Sequence, residues 1–385
     1  MAGVWWKDVG DLVREQLDIL DIPLDRSVLI KGPPGSGKTN LLLLRANHLF
    51  LADQPNIGVV VFGSVLKKFI QLGGDLYQFP VDKIVTHARL FGDILGEHGR
   101  SVDTSSMSLD QARALKLAEL DALNARGQLG RVLQSVLLDE AQDYSPAEIR
   151  IFRKIAPTIT AACDVKQKIF SGEDCVGELE SCVDEVKELT FHFRNGRKIC
   201  RLADGIMEGR PGYVPLEVNC QYDESEYPSS VAFHSGLSLD EQVAAIREQI
   251  LAQRLAYPED VLGILCPRAD DVNYMWGVLS GTELGDEITR CHEQDFDPRK
   301  HIWICTISSA KGLEFRALHL AGLDDLSAVG RSAQKRLAFT AVTRAKTALT
   351  LYWNRSIPGY LDSAIRRVLP TGRKISKNML FGNRS

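Results

Sequence analysis

The sequence predicts an α/β fold with parallel β-sheets flanked by helices, and three observations support this prediction. A short apolar run at residues 28–30 leads into a glycine-rich turn, which is followed by a helical pattern over residues 41–50. A second apolar run within residues 132–144 delivers two adjacent acidic residues. Further apolar runs at residues 57–62 and 260–266 alternate with helical segments, as βαβ units require.

Length and composition are those of an ordinary globular chain. Its 385 residues suffice for two or three domains with a large core, and its 44% hydrophobic and 25% charged residues are typical values. The net charge of −4 gives no overall positive field, so any nucleic-acid binding must rely on local positive charge. No apolar run approaches the roughly 18 residues of a membrane helix, and the first residues lack the pattern of a signal peptide.

The eight cysteines are scattered along the chain and include no C-x-x-C pair. This distribution argues against a zinc ribbon or a redox dithiol. It predicts reduced, mostly buried thiols and a cytoplasmic location.

Residues 32–39 match the phosphate-loop pattern G-x-x-x-x-G-K-[ST]. Strand, glycine loop and helix follow in the order this pattern needs, because curled backbone N–H groups and a helix N-terminus together bind anions. The predicted nucleotide-binding residues are Gly32, Pro33, Pro34, Gly35, Ser36, Gly37, Lys38 and Thr39. We expect Lys38 to reach the β- and γ-phosphates of ATP, and the Thr39 hydroxyl to ligate Mg²⁺.

Asp139 and Glu140 stand at the carboxyl end of the apolar run in residues 132–144, where ligands bind in parallel α/β sheets. We expect Asp139 to hold Mg²⁺ through water, and Glu140 to orient or deprotonate the attacking water. The alternative is an acidic pair that merely ends a strand. The phosphate loop upstream favours the first interpretation.

Two segments beside these motifs add candidates. Gln16 lies on a predicted amphipathic helix over residues 12–20, where its amide either recognises the adenine edge or is a solvated surface group. Residues 81–86 are expected to form a strand that ends at Thr86 and His87. Because His87 has no partner at metal-ligand spacing, we interpret it as a loop or groove residue.

Residues 108–126 show the clearest amphipathic helical pattern. Ser108 is its expected N-cap, and Gln111 completes a capping box. Its apolar side consists of Leu115, Leu117, Leu120 and Leu123. The pattern predicts a helix that packs on the core.

The sequence DEAQD at residues 139–143 resembles motif II of the UvrD/Rep-like superfamily 1 helicases. Residues 160–170 are similar to motif III of that family, with Asp164 and Gln167 at its G-D-x-x-Q positions. The resemblance implies that Gln167 senses the γ-phosphate. It also implies that Gln16 is the glutamine that reads adenine.

Two further motifs supply arginines. Residues 189–194 resemble motif IV, which implies that Phe193 stacks on the adenine and that Arg194 reaches the γ-phosphate. Taken alone, Arg194 would be interpreted as a surface residue. Residues 337–346 resemble motif VI, and Arg344 is its arginine, a second positive charge for the γ-phosphate.

Residues 302–315 resemble motif V, T-x-H-x-x-K-G-L-E-F. The resemblance implies that Thr306 touches the nucleic-acid backbone. It places Gly312 and Glu314 at the sugar and phosphates of the nucleotide. Ser308 stands where the family usually has histidine.

The resemblance covers nearly the whole chain and implies two RecA-like domains with ATP in the cleft between them. The expected domains are residues 1–187, with a small helical insertion at about 88–131, and residues 188–385. ATP hydrolysis would drive the protein along single-stranded or tailed DNA, commonly 3′ to 5′ in this family. RNA is not excluded, because backbone contacts do not by themselves select deoxyribose.

Several positions depart from the family pattern where the strand is usually bound. Too few residues lie between Thr86 and Val132, and between Arg194 and Thr306, for the large accessory insertions of the family, and Gly172 stands where a base-stacking Trp is usual. Phe62 either stacks on a base or is a core residue that ends a strand. The remaining predicted nucleic-acid contacts are Thr86, His87 and Thr306, while Gly63 replaces a usual contact.

These departures support an alternative function from another class. The chain would then be a nucleic-acid-gated ATPase that regulates a partner, such as a nuclease in DNA repair or antiviral (anti-phage) defence, without unwinding of its own. Unwinding of a tailed duplex distinguishes the two hypotheses.

Overall fold

The computed structural model describes residues 9–72, 77–104, 106–164, 173–292, 295–328 and 331–369. These residues divide into two compact units. The first unit comprises residues 9–32 and 37–189, and the second comprises residues 33–36 and 190–369. Each unit is built around its own β-sheet.

The sheet of the first unit has six strands in the order β3-β2-β4-β5-β1-β6, all paired in parallel. Its strands are β1 (Val28–Lys31), β2 (Ile57–Val61), β3 (Ile84–Thr86), β4 (Ser135–Leu138), β5 (Thr158–Cys163) and β6 (Glu185–Glu188). Every residue of β2 and β4 is buried, as the apolar runs predicted for strands covered on both faces.

The helices of the first unit are α1 (Arg14–Leu20), α2 (Lys38–Leu51), α3 (Ser64–Leu72), α4 (His87–Glu97), α5 (Leu109–Ala125), α6 (Pro146–Ile155) and α7 (Val176–Cys182). The predicted capping box at the start of α5 is confirmed, since the Ser108 hydroxyl accepts from the Gln111 N–H and the Gln111 side chain accepts from the Ser108 N–H. The strand predicted over residues 81–86 is shorter than expected, because Val81–Lys83 forms a 3-10 turn before β3.

A buried arginine holds the segment that leads into β1. Arg45 on α2 is 1% exposed. Its guanidinium donates to the Thr160 hydroxyl at 3.1 Å and to the carbonyls of Ile22, Pro23 and Arg26 at 2.7–3.0 Å. Because polar groups shielded from water are costly without partners, the side chain fixes the chain that precedes the phosphate loop.

The sheet of the second unit also has six parallel strands, in the order β7-β12-β11-β8-β10-β9. They are β7 (Ser230–Ser235), β8 (Leu262–Cys266), β9 (Ile288–Arg290), β10 (Ile302–Thr306), β11 (Phe315–Leu320) and β12 (Ala345–Trp353). The helices are α8 (Arg197–Met207), α9 (Leu239–Ala256), α10 (Ala269–Leu279), α11 (Arg331–Val342) and α12 (Gly359–Val368). The predicted fold class, α/β with parallel sheets flanked by helices, is confirmed.

The domain boundary predicted between residues 187 and 188 falls inside a strand. Residues 185–188 form β6, which pairs with β1 at the edge of the first sheet, with Lys187 opposite Ile30. The two units divide between Leu189 and Thr190, two residues further along the chain, and the domain assignment stays a prediction. The alternating half-buried and exposed pattern of β6 gives no apolar run, so the sequence did not indicate a strand here.

We expect acid to destabilise the second unit through His319 on β11, whose side chain is fully buried. Its Nδ1 lies 3.0 Å from the Tyr352 hydroxyl, and its Nε2 lies 2.9 Å from Gln253 Oε1. Burial, assisted by nearby His234, lowers the pKa of His319 to about 3. Below about pH 6.5, His319 is therefore protonated in the unfolded chain but stays neutral in the folded chain. The free energy of unfolding falls for this reason as the pH drops from 6.5 towards 3. We expect this group to cost about 2 kcal/mol at pH 5.

The measurement is the free energy of unfolding of the parent and of His319→Gln at pH 8 and pH 5. Glutamine can keep hydrogen bonds at this position but does not titrate, so the variant should lose less stability on acidification than the parent. An equal loss in both proteins would contradict the expected role of His319.

Candidate nucleotide-binding site

The phosphate loop joins β1 to α2 and depends on two glycines in the left-handed backbone region. Gly35 has φ +73° and Gly37 has φ +87°. A Cβ on Gly37 would lie 2.7 Å from Gln16 Nε2. Larger side chains at these positions would be strained, so the glycines allow the backbone to curl as anion binding requires.

Two side chains of the loop donate to backbone carbonyls close by. Lys38, the first residue of α2, donates from Nζ to the Gly32 carbonyl at 2.9 Å. The Ser36 hydroxyl donates to the Pro33 carbonyl at 2.9 Å. Lys38 thus lies folded back towards the end of β1, which keeps its ammonium group at the loop.

Gln16 on α1 is buried beside this loop. Its side chain is 2% exposed, and its Oε1 accepts from the Val13 N–H at 3.1 Å. The alternative interpretation, a solvated surface glutamine, is therefore wrong. The same amide lies next to Gly37 of the loop, and its recognition of adenine stays a prediction.

Thr39, in the first turn of α2, lies beside Asp139, which directly follows β4. Thr39 Oγ1 lies 3.2 and 3.1 Å from the two carboxylate oxygens of Asp139. Asp139 is 2% exposed, and burial together with the charge of Glu140 raises its pKa to about 7. A hydroxyl beside a carboxylate is a donor set of hard oxygens that suits Mg²⁺, so these two residues fit the metal predicted for them.

Glu140 follows Asp139 in a strained backbone conformation. Its φ is +48°, and among the described residues only Asp53 shares a positive φ without being glycine. The Gln142 amide donates to the Glu140 carboxylate, and its oxygen accepts from the Asp164 N–H at 2.8 Å. Strain of this kind costs about 1–3 kcal/mol and often accompanies function. Gln142 was not among the predicted site residues, although it lies within the DEAQD stretch.

Phe193 and Arg194 lie against the loop residue Gly35, which belongs to the same unit. The Phe193 N–H donates to the Gly35 carbonyl at 3.0 Å. A Cβ on Gly35 would lie 2.4 Å from Arg194 Cβ. Close backbone approach, in addition to the positive φ, therefore requires glycine here.

Arg194 forms an ion pair with Glu314, and Lys346 Nζ lies 3.7 Å from the same carboxylate. Burial raises the pKa of Glu314, but the charges of Arg194 and Lys346 outweigh it and hold the pKa below its ordinary value. The carboxylate is therefore ionised and keeps the Arg194 guanidinium in place. Gly312, two residues earlier, has φ +82°.

Arg344 precedes β12 and is 1% exposed. Its Nε donates to the Thr340 carbonyl and its Nη1 to the Leu313 carbonyl, both at 3.1 Å. These contacts fix the guanidinium beside the segment that carries Gly312 and Glu314. Gln167, the other predicted catalytic residue, lies outside the described residues, as does the stretch 170–172 in which Gly172 replaces the Trp.

Phe62 and His87, two predicted nucleic-acid contacts, pack on each other. Their rings stack with centroids 5.0 Å apart, and the Arg113 guanidinium lies 5.1 Å from the Phe62 centroid. His87 is 8% exposed, and burial lowers its pKa to about 4. Phe62 also packs on the core, and the stacking of its ring on a base stays a prediction.

The hydroxyls of Thr86 and Thr306 each form a hydrogen bond with a backbone N–H three residues further along the chain. Thr86 is the N-cap of α4, and its Oγ1 accepts from the Arg89 N–H at 3.3 Å. Thr306 ends β10, and its Oγ1 accepts from the Ser309 N–H at 3.2 Å. Any contact of these residues with nucleic acid stays a prediction.

No helix in the described part of the chain has the length and apolarity needed to span a membrane.

No curated protein matches the chain. The solved structures that are similar to the chain include the following two. The PRRSV helicase shares 17% identity at a TM-score of 0.39, over 87% of this chain and 54% of that one, so the chain spans about half its length. The C-terminal domain of a possible DNA helicase from Lactobacillus plantarum WCFS1 shares 20% identity at a TM-score of 0.32, over 46% of this chain and 94% of that one.

A family model described as the UvrD-like helicase C-terminal domain matches residues 301–352. This segment runs from the start of β10 to the end of β12 and contains Thr306, Gly312, Glu314 and Arg344. Residues 301–352 are therefore similar to a UvrD-like helicase C-terminal domain, which confirms the predicted resemblance to UvrD-like helicases over this segment.

Proposed function

We propose that the chain is an ATP-dependent single-stranded DNA translocase or helicase that moves 3′ to 5′. The observation that carries this proposal is the contact of Thr39 with both carboxylate oxygens of Asp139, beside a loop whose Lys38 closes back on Gly32. Thr39 and Asp139 are 100 residues apart in sequence, so this contact depends on the tertiary fold. Their chemistry suits a magnesium nucleotide.

Each residue has a proposed part in hydrolysis. Thr39 and Asp139 would hold Mg²⁺, which supplies positive charge to the phosphates. Lys38 would bind the β- and γ-phosphates, and Glu140, oriented by Gln142, would position the attacking water and accept its proton. Gln16 would select adenine, with Phe193 stacked on the base.

Three further residues would act at the γ-phosphate. Arg194 and Arg344 would stabilise the charge of the transferring phosphoryl group, and Gln167 would sense whether that group is present. Glu314 and Gly312 would lie at the sugar and phosphates. The DNA strand would contact Thr306, Thr86 and the pair of Phe62 and His87, although the described contacts of these side chains lie within the protein.

A second candidate function is a nucleic-acid-gated ATPase that regulates a partner nuclease or effector in DNA repair or anti-phage defence. The observation in its favour is the small size of the accessory region. Between β3 and β4 the described residues contain only the helices α4 and α5. A protein with so small an accessory region would lack the elements that separate the two strands of a DNA duplex.

The test is steady-state ATP hydrolysis by the full chain, alone and with single-stranded DNA or RNA. We expect hydrolysis to rise about tenfold or more with DNA, and Lys38→Ala to abolish it in every condition because the phosphates lose their main charge contact. Unwinding of a 3′-tailed duplex supports the helicase, whereas stimulation without unwinding supports the regulatory ATPase. A rate that no polymer changes would contradict both.

A further inference from the structure

Three metal-ligating side chains meet inside the second unit, and none of them belongs to the magnesium residues of the proposed function. The ligand atoms of His192, Cys200 and Cys220 all lie within 4.8 Å of one another. His192 and Cys200 are fully buried, and Cys220 is 4% exposed. Soft thiolates together with imidazole are the donor set that Zn²⁺ prefers.

The backbone brings these residues together from separate segments. The His192 N–H donates to the Asn219 carbonyl at 3.2 Å, and the Gln221 N–H donates to the His192 carbonyl at 2.9 Å. This parallel bridge sets Cys220 directly beside His192. Cys200 enters from the first turn of α8. Because the ligands are spread over residues 192–220, they show none of the C-x-x-C spacing that marks many zinc sites in a sequence.

The local hydrogen bonds leave the cluster incompletely satisfied. Both thiols donate to the same acceptor, the Asn195 carbonyl oxygen, which lies 3.4 Å from Cys200 Sγ and 3.3 Å from Cys220 Sγ. His192 Nε2 lies 2.8 Å from the Leu216 carbonyl and 3.9 Å from Cys200 Sγ, while Nδ1 has no hydrogen-bond partner among the described residues. A buried polar atom without a partner is costly and calls for a ligand or another explanation.

Because Nε2 of His192 is hydrogen-bonded to the Leu216 carbonyl, Nδ1 is the ring nitrogen left to bind a metal. The carbonyl then orients the imidazole in the way that carbonyls orient ligand histidines in zinc proteins.

We propose that His192, Cys200 and Cys220 form a Zn²⁺ site, with the fourth position taken by water or the Asn195 carbonyl oxygen. The four ligands of tetrahedral zinc stand roughly 3.3–3.9 Å apart, so binding requires only a small contraction of the cluster. The site would tie the start of α8 to the segment at residues 219–221. His192 directly precedes Phe193 and Arg194, so zinc would also brace the residues proposed to serve the nucleotide.

The test uses the untagged full chain, stripped of metal under reducing conditions and titrated with Co²⁺ without nucleotide. Thiolate-bound tetrahedral Co²⁺ gives a sulfur-to-metal charge-transfer band, which oxygen ligands such as Thr39 and Asp139 cannot give. We expect about one Co²⁺ per chain with this band, displaced by about one equivalent of Zn²⁺. Elemental analysis of the protein as purified should show zinc at the same ratio.

Matched variants locate the site. Cys220→Ala and Cys200→Ala should lose the charge-transfer band. Cys182→Ala, which removes the half-buried thiol of α7, and Cys291→Ala, which removes a buried thiol that contacts Cys305, should keep it. Far-ultraviolet circular dichroism shows whether each variant is folded.

The titration of the parent protein needs no variant, so the proposal stays testable even if a cysteine variant misfolds. A folded parent that binds no Co²⁺ through thiolate would overturn the proposal. So would a band that survives in Cys220→Ala or disappears in Cys182→Ala. Since none of these readouts involves ATP, a failure of the proposed function leaves this test intact.

Discussion

Replacement of Glu140 by Gln is expected to lower ATP turnover by about 10²–10⁴-fold while it leaves the affinity for ATP within about threefold. The amide keeps the size of the side chain and can still contact Gln142, but it cannot accept a proton from water. An interaction made only in the transition state affects kcat and spares binding. The measurements are phosphate release at saturating ATP and equilibrium binding of a fluorescent ATP analogue.

The chain offers a matched control for backbone strain. Asp53 is the other described non-glycine residue with a positive φ, at +58°, and it lies outside the proposed site. Asp53→Asn makes the same chemical change in a similarly strained turn, so it should hydrolyse ATP at the parental rate. If Glu140→Gln also hydrolysed at that rate, the assignment of Glu140 as the base would be wrong.

A third variant, Gln142→Ala, tests whether Gln142 orients the Glu140 carboxylate. Its amide links the Glu140 carboxylate to the Asp164 N–H, so Gln142→Ala should leave the base present but less well oriented. We expect a smaller loss of kcat than for Glu140→Gln, measured in the same phosphate-release assay.

The parts of the fold that the sequence predicted are those with strong local signals. The apolar strands β1, β2, β4 and β8 are buried on both faces, so each appears as a continuous run rich in Val, Ile and Leu. The glycines of the phosphate loop are required by the left-handed backbone at Gly35 and Gly37, where a larger residue would be strained. The caps of α5 are set by side chains three residues apart.

The parts that it missed depend on contacts between distant residues. Edge strand β6 is half exposed, so its sequence Glu-Val-Lys-Glu carries no strand signal and the boundary was placed inside it. Arg45 stands in a leucine-rich helix, where only the tertiary structure shows four acceptors around its guanidinium. The cluster of His192, Cys200 and Cys220 arises from a backbone bridge that linear spacing cannot reveal.

Replacement of Arg194 by Ala is expected to lower kcat by about 10³-fold or more, because an arginine at the γ-phosphate stabilises charge that develops during transfer. Arg194 contacts loop residue Gly35 and forms an ion pair with Glu314, and these contacts support the proposed role. Arg194→Lys should recover little activity, since an ammonium group lacks the planar fork of the guanidinium. The measurement is kcat together with the dissociation constant for ATP.

A structural role for Arg194 predicts a different pattern, because its loss removes the ion pair of the buried Glu314 carboxylate and leaves that carboxylate with only the charges of Lys346 and Arg344. A buried charge that loses a partner is destabilising. The double variant Arg194→Ala with Glu314→Gln removes that stranded charge. If Arg194 acts on the phosphate, the double variant regains thermal stability but stays inactive, and Glu314→Gln alone keeps kcat within about tenfold. Arg201→Ala, which removes a half-exposed arginine paired with Glu217 in the second unit, should change neither quantity. Recovery of hydrolysis in the double variant would show that Arg194 serves Glu314 and not the nucleotide.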